Sequence, residues 1–446
     1  MTHKERSRQT TRPLLLVVLI LTFASTASAE WKEKVLYSFQ GGVNDGSLPA
    51  GGVVFDSQGN LYGATTYGGL TACAIGGECG TIFQLSRPVQ KGDPWTEKLI
   101  YKFQGQGSND GGVPSGGLIL DAAGNLYGIT AYGGSGDCVL LGLRAGCGTV
   151  YELSPPKQKG GAWKETILYS FPTAKQGYFP NGNLVFEKSG NLYGATTFGG
   201  TKGTSCDAYY GGQCGVVFEL TPPKAKPGRW TEQVLHNFAG GTDGANPNGG
   251  LVLDSKGNVY GTTYMGGSGD WGTVYQLKPP TRKGGVWTEK QLLVFTSGNA
   301  GGLPRAGVIF DSKANLYGTT VGTIFRLAPP STKSGRWKHT ILSTFNNYEA
   351  YDPDGALVFD PGGSLYGTTY SSNIFHGTVF RLQPPSRKGS KWTFAILYGF
   401  LGPPDGGQPA ANLIFDKNGN LYSTTQKGGT GVCSFYGCGT VFEVSP

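Results

Sequence analysis

Residues 49–103 read PAGGVVFDSQGNLYGATTYGGLTACAIGGECGTIFQLSRPVQKGDPWTEKLIYKF. Four runs rich in Val, Ile, Thr, Tyr and Phe stand out: GVVFD at 52–56, NLYGATT at 60–66, GTIFQL at 80–85 and WTEKLIYKF at 95–103. Each is bounded by Gly, Pro, Asn or Asp, the pattern of short strands joined by tight turns. The unit recurs. Trp31, Trp95, Trp163, Trp230, Trp287, Trp337 and Trp392 lie 50–68 residues apart, and Trp271 alone falls outside this frame. Pro49, Pro114, Pro180, Pro247, Pro304, Pro353 and Pro409 each precede by seven residues an acid that ends an apolar run. Tyr62, Tyr127, Tyr193, Tyr260, Tyr317, Tyr366 and Tyr422 match in all seven copies.

Composition narrows the fold further. Glycine (76) and proline (26) are abundant among the 446 residues, but 12% aromatic and only 15% charged residues leave ample apolar surface to bury, which excludes a disordered chain. No Gly-X-Y period runs through the chain, so collagen is excluded, and no sustained 3.6-residue apolar period marks a helix. Four-stranded units repeated seven times predict an all-β fold, a seven-bladed β-propeller of four-stranded antiparallel blades. The LVFD-type run, flanked by small pairs such as Gly51-Gly52 and Gly116-Gly117, belongs next to the axis. The Trp run, carrying Lys and Glu, suits a blunted outer edge. It follows that the N-terminal strand, residues 31–39, joins the C-terminal blade between Asn412 and Val444 and closes the ring.

The string NLYGTT-x-x-GG, GTVF-x-L-x-PP, W-x-x-x-x-LY-x-F resembles the GloVer tandem repeat of bacterial choice-of-anchor extracellular proteins, over residues 31–446. The resemblance implies an exported array of propeller-type repeats and carries no catalytic residue over. Residues 1–29 read as a signal peptide: Lys4, Arg6, Arg8 and Arg12 precede an apolar run from Leu14 to Ala24, and Ala27-Ser28-Ala29 precede Glu30. Residues 30–446 are then one propeller domain, secreted to the periplasm or medium of a bacterium. The chain stops at Pro446 directly after a strand, which favours release without a membrane anchor. Net charge is +8, or +5 once residues 1–29 are set aside. The eight cysteines fall into local pairs, Cys73/Cys79, Cys138/Cys147, Cys206/Cys214 and Cys433/Cys438, and predict four disulfides; no histidine stands near them to make a zinc site.

Where the repeats disagree, a site can exist. The loops between the second and third strands are long and cysteine-bearing in repeats one, two, three and seven, and short in four, five and six. This predicts a disulfide-stiffened wall over one arc of the upper face and a low rim over the other, with a ligand against the wall at Tyr264, Asp270, Trp271, Tyr370 and His376. Asp45, Asp110, Asp243, Asp405 and Glu349 line the same face at Asp-Gly-type turns, where turn-making is favoured over Ca²⁺ binding. The loops between the third and fourth strands hold 15 Lys and Arg against one acid, Asp93, and could meet an anionic polymer weakly. His236 and His339 fall in fourth strands, away from the axis. Asp56 and its repeat-matched acids, Asp121, Glu187, Asp254, Asp311, Asp360 and Asp416, read as turn caps. No nucleophile motif, metal-spaced His cluster or cofactor motif is present. The expectation is a monomeric, non-enzymatic binding or scaffolding module for an extracellular carbohydrate or protein, with no catalytic residue, metal or cofactor. The alternative is a glycoside hydrolase or polysaccharide lyase using carboxylates in the axial funnel.

Overall fold

The computed structural model describes residues 30–446 apart from 72, 74–76, 91, 141, 202–205, 207–212, 226–227, 283, 297–300, 333–334, 346–349, 388 and 434–435. The segment read as a signal peptide, and Glu349, lie outside the described residues. Trp31 to Pro446 make up one compact unit of seven antiparallel blades. In blade 1 the strands Leu61–Gly68, Thr81–Ser86 and Thr96–Lys102 pair in order, with Thr96–Lys102 outermost. The same order is repeated through blade 6. Blade 7 takes Ile414–Phe415, Leu421–Thr425 and Thr440–Ser445 from the C-terminus and Lys32–Ser38 from the N-terminus. Lys32 stands opposite Ser445 and Ser38 opposite Thr440, so the ring is closed by ladder hydrogen bonds between the two ends of the domain.

The inner strand differs from its expected extent. The proline segment is part of it: Gly46–Pro49 and Val54–Phe55 both pair with Leu61–Gly68, and in blade 3 the two halves run on as Tyr178–Phe186. Between the halves sits a belt of small residues. A Cβ on Gly51 would strike Gly117, one on Gly116 would strike Gly182, and one on Gly249 would strike Gly307. These glycines let the inner strands meet at the axis.

Neighbouring blades are held by a repeated aromatic clamp. The Tyr of one blade's second strand is packed by the inner-strand Phe, or Leu in blades 2 and 4, and the outer-strand Trp of the next. Phe55 and Trp95 pack on Tyr422, Phe310 and Trp337 on Tyr260, and Phe415 and Trp31 on Tyr366. Phe–Tyr centroids lie 5.0–5.1 Å apart in these pairs, mostly edge to face. Each such Tyr hydroxyl donates to the acid ending its own inner strand, as Tyr62 does to Asp56 at 3.1 Å and Tyr317 to Asp311 at 3.1 Å. The same Asp56 accepts from the amides of Gln58 and Asn60, so it caps the turn as well. Blade 3 carries Glu187 there, and Tyr193 donates to Glu219 instead. Within the blade, the Thr of the Gly-Thr pair meets a second-strand Thr, as Thr65 meets Thr81 at 2.7 Å, in every blade except the third, where Val216 replaces it.

The four disulfides form in the expected pairs, with Cα–Cα separations of 5.0–5.2 Å. Only the first cysteine of each pair, Cys73, Cys138, Cys206 or Cys433, belongs to the raised loop and keeps contact with solvent. The second, Cys79, Cys147, Cys214 or Cys438, is fully buried. It stands directly before the glycine that opens the third strand, where the side chain turns into the blade's apolar core. Cys147, for example, shares one core cluster with Val150 and Phe171. Each bridge therefore roots its loop in the core.

Two testable outcomes concern groups the fold buries. The Tyr151 and Tyr275 hydroxyls are fully buried without a hydrogen-bond partner, in blades 2 and 4, at a position that is Phe in the other blades. Tyr151→Phe and Tyr275→Phe should each raise stability by about 1 kcal/mol in urea unfolding, since they remove an unpaired polar group and little volume. Outer-strand glutamates are also pressed between blades. Burial and the nearby Asp405 push the Glu33 carboxyl up to about 8, burial and Asp110 push Glu165 to about 8, and burial with Asp45 holds Glu97 at about 7. The folded chain then binds protons that the unfolded chain releases above its ordinary carboxylate pKa of 4.5. The contribution is therefore full below that value and is lost as pH rises through 7 to 8. The melting temperature should fall between about pH 5 and pH 9, and Glu33→Gln with Glu165→Gln should flatten that slope.

Candidate functional site

Above the glycine belt the axis opens into a cavity of about 410 Å³ to which all seven blades contribute. Its rim is set by one repeated backbone feature. The residue before each proline, Leu48, Val113, Phe179, Asn246, Leu303, Asp352 or Gln408, has φ between 50 and 62°, a left-handed conformation that is costly for a side chain and most so for β-branched Val113. The next blade supplies this step and the preceding blade holds it. The amides of Leu48, Val113 and Asn246 donate to the carbonyls of Cys438, Cys79 and Cys214 at 2.7–2.8 Å; Leu303 donates to Trp271 at 2.7 Å and Gln408 to His376 at 2.6 Å.

The residue after each proline then lines the cavity: Ala50, Ser115, Asn181, Asn248, Arg305, Asp354 and Ala410. Blades 7, 1 and 2 present small side chains there, whereas blades 3 to 6 present two amides, a guanidinium and a carboxylate. The Asn181 amide donates to Asn248 Oδ1 across a blade boundary. Arg305 Nε lies 3.2 Å from Asp352 Oδ1, its Nη1 lies 3.5 Å from Asp354 Oδ1, and its guanidinium sits 5.7 Å from the Tyr264 ring centroid. Burial opposes the Arg305 charge, but Asp354 and Asp352 more than restore it, and its pKa is raised. Burial pushes the Asp354 carboxyl up to about 6 despite Arg305. Tyr370 donates to Gln408 at 3.0 Å, and burial and Asp354 raise its pKa.

The five side chains singled out from the sequence separate into two groups. Tyr264 and Tyr370 flank the Arg305–Asp354 pair and belong to one network with it. Asp270, Trp271 and His376 lie farther out in the short upper loops. Asp270, at φ 59°, accepts from the Gly266 amide at 2.7 Å and makes the turn. Trp271 and His376 occupy the repeat position that Cys79, Cys147, Cys214 and Cys438 hold elsewhere, and their carbonyls anchor the next blade's rim. Arg305, Asp354, Asn181 and Asn248 were missed. Their signal was a variable column between an invariant proline and a small residue.

The sequence model of the Gloeobacter/Verrucomicrobia repeat matches residues 22–206 and 208–333. The chain belongs to this repeat family. No curated protein matches the chain in sequence. Among solved structures, a fungal alcohol oxidase of the AA5 family in complex with copper is similar with a TM-score of 0.52 at 13% identity, over 93% of this chain and 76% of that one. A Dyadobacter fermentans protein of unknown function gives 0.46 at 12% identity, over 93% and 98%. A Xanthomonas campestris gluconolactonase gives 0.40 at 11%, over 93% and 89%. At these identities the likeness is one of fold.

The upper-face acids are turn groups. Asp45 accepts from the Tyr37 hydroxyl and the Gln40 and Gly46 amides, and Asp110 and Asp405 repeat the pattern. Among the described residues no cluster of three His, Cys, Asp or Glu could hold a metal. Cys79 and Cys438 each link a disulfide directly to a rim amide. Reduction should therefore speed hydrogen exchange in Gly46–Pro49 and Gly111–Pro114, read by mass spectrometry, while blades 5 and 6 stay protected and the fold persists; closing loops this short is worth roughly 2–3 kcal/mol each.

Proposed function

We propose that this protein is an exported, non-enzymatic binding module whose axial cavity takes a carbohydrate, entering over the low arc of blades 4 to 6. One observation carries the reading. The seven-fold symmetry that builds the blades breaks at the post-proline ring, and its polar half starts at Asn181 of blade 3 and continues with Asn248, Arg305 and Asp354 under that arc. Amides, a guanidinium and a carboxylate beside tyrosine rings are the groups that hydrogen-bond and stack on sugars. The Tyr264 ring lies against Arg305 and the Tyr370 hydroxyl bonds Gln408 of the rim, and on this reading Asp270, Trp271 and His376 stand at the mouth. The cavity, about 410 Å³, is of the size that binds small ligands.

Export is supported by the basic and apolar pattern of residues 1–29, four disulfides and the family resemblance. Among the described residues no helix is long and apolar enough to cross a membrane. Glycosidic hydrolysis uses two carboxylates. Asp354 is the only one among the described residues lining the cavity, and Arg305 pairs with it. That arrangement favours binding over turnover.

A glycan array probed with the full mature chain should give hits, with no reducing sugar released from them. Asn248→Ala and Tyr370→Ala should each weaken the best hit about tenfold in calorimetry. Unchanged affinity in both variants would place the ligand elsewhere.

A further inference from the structure

The charges of the axial cavity are unbalanced in a direction opposite to the molecule's. The chain is net positive, at +8, yet the one guanidinium lining the cavity, Arg305, is shared between two carboxylates, Asp354 in the lining and Asp352 at the rim. Arg305 is caught between Asp352 and Asp354 and rests on the Tyr264 ring. Asp352 Oδ1 and Asp354 Oδ1 are shielded from solvent and face the arginine. A carboxylate offers about four lone-pair sites, so Asp354, which lines the cavity, keeps capacity for an N–H donor besides the arginine. The other post-proline side chains, Ala50, Ser115, Asn181, Asn248 and Ala410, bring no charge.

A carboxylated sugar entering this cavity would meet Asp354 and could reach Arg305 only by displacing an aspartate from it. A neutral sugar would leave the acceptors served by hydroxyls alone. An ammonium group supplies three donors and offsets the excess negative charge. Resting on the reading of the cavity as a carbohydrate site, we propose that it selects saccharides bearing a free amino group over their neutral and carboxylated counterparts. Asp354 is the specificity-determining residue, and Asp352 supports it through Arg305.

The same ion pairs also serve the fold. Among the described residues of blades 5 and 6 the inner strands ladder over Ile309–Phe310 and Val358–Phe359, with a single further bridge from Tyr351 to Ser371, and Arg305 joins the two blades. The test must separate the two roles. Calorimetry at about pH 6.5 would compare three tetrasaccharides on the intact mature chain: a glucosamine oligomer, its N-acetylated form and an oligouronate. The glucosamine oligomer should bind at least about tenfold more tightly than the acetylated one, and the uronate most weakly. Asp354→Asn should remove most of that preference, and the Asp352→Asn, Asp354→Asn double variant, which leaves Arg305 alone, should shift it toward the uronate. If either variant is too unstable to measure, added salt serves instead, weakening the amino sugar and sparing the neutral one. Equal affinity for all three sugars, or a preference unmoved by Asp354→Asn or by salt, overturns the proposal; the carbohydrate reading survives that result if Asn248→Ala still weakens binding of all three. Binding of none of them, with no hit on the array, overturns both.

Discussion

The ring depends on a tyrosine held at every blade boundary. A blade of four short strands cannot bury both of its faces alone, so its stability is set by what the next blade lays against it. Here that is a Phe or Leu from the inner strand and a Trp from the outer strand, closing on a Tyr whose hydroxyl is tied to the acid at its own turn. The acid thus does two things at once: it shapes the turn and satisfies a hydroxyl that would otherwise be costly to bury. Because Trp31 belongs to the N-terminal strand and clamps Tyr366, the clamp around blade 7 forms only when the two ends of the domain have met.

Strict repetition of the clamp frees another position to vary. Above the glycine belt, each inner strand makes a left-handed step at the residue before its proline, and the carbonyl that holds the step belongs to the neighbouring blade. The next residue faces the cavity and bears on no repeated contact, so Ala, Ser, Asn, Arg and Asp can all stand there without disturbing the blade. Strain in the backbone is borne by the scaffold, and the chemistry is placed one residue later. The disulfides fit the same scheme. Cys79, Cys214 and Cys438 carry carbonyls that anchor the rim, and Trp271 and His376 do that work where cysteine is missing.

Much of the fold was legible in the chain because its repeated residues do repeated physical jobs. The Trp, Tyr, Asp, Pro and Gly-Thr columns announced strands, turns and their number, and the lysine-bearing Trp strand announced an outer edge and so the closure by residues 31–39. The prolines misled in one respect. Proline is rare inside a sheet, yet Pro49, Pro114, Pro180 and Pro247 pair at the innermost edge, where the missing N–H has no neighbouring strand to serve. The cysteines were legible as pairs, but spacing alone did not reveal that Cys147 and its equivalents face the core. Tyr264 and Tyr370 stood out as unrepeated aromatics. Asp270, Trp271 and His376 looked the same in sequence, and only their backbone hydrogen bonds distinguish them.

The sequence by itself determined the local rules: which segments extend, where they turn, which cysteines pair and how many units stand in the ring. These follow from spacing and side-chain type within about sixty residues, a range over which strand and turn preferences act directly. The tertiary structure alone decided which column faces the axis. Asn181, Asn248, Arg305 and Asp354 are separated by 49 to 67 residues in the chain, and no local preference distinguishes them from other variable turn residues. They become one site because seven inner strands converge on a belt of glycines, and convergence is a property of the closed ring rather than of any repeat in it.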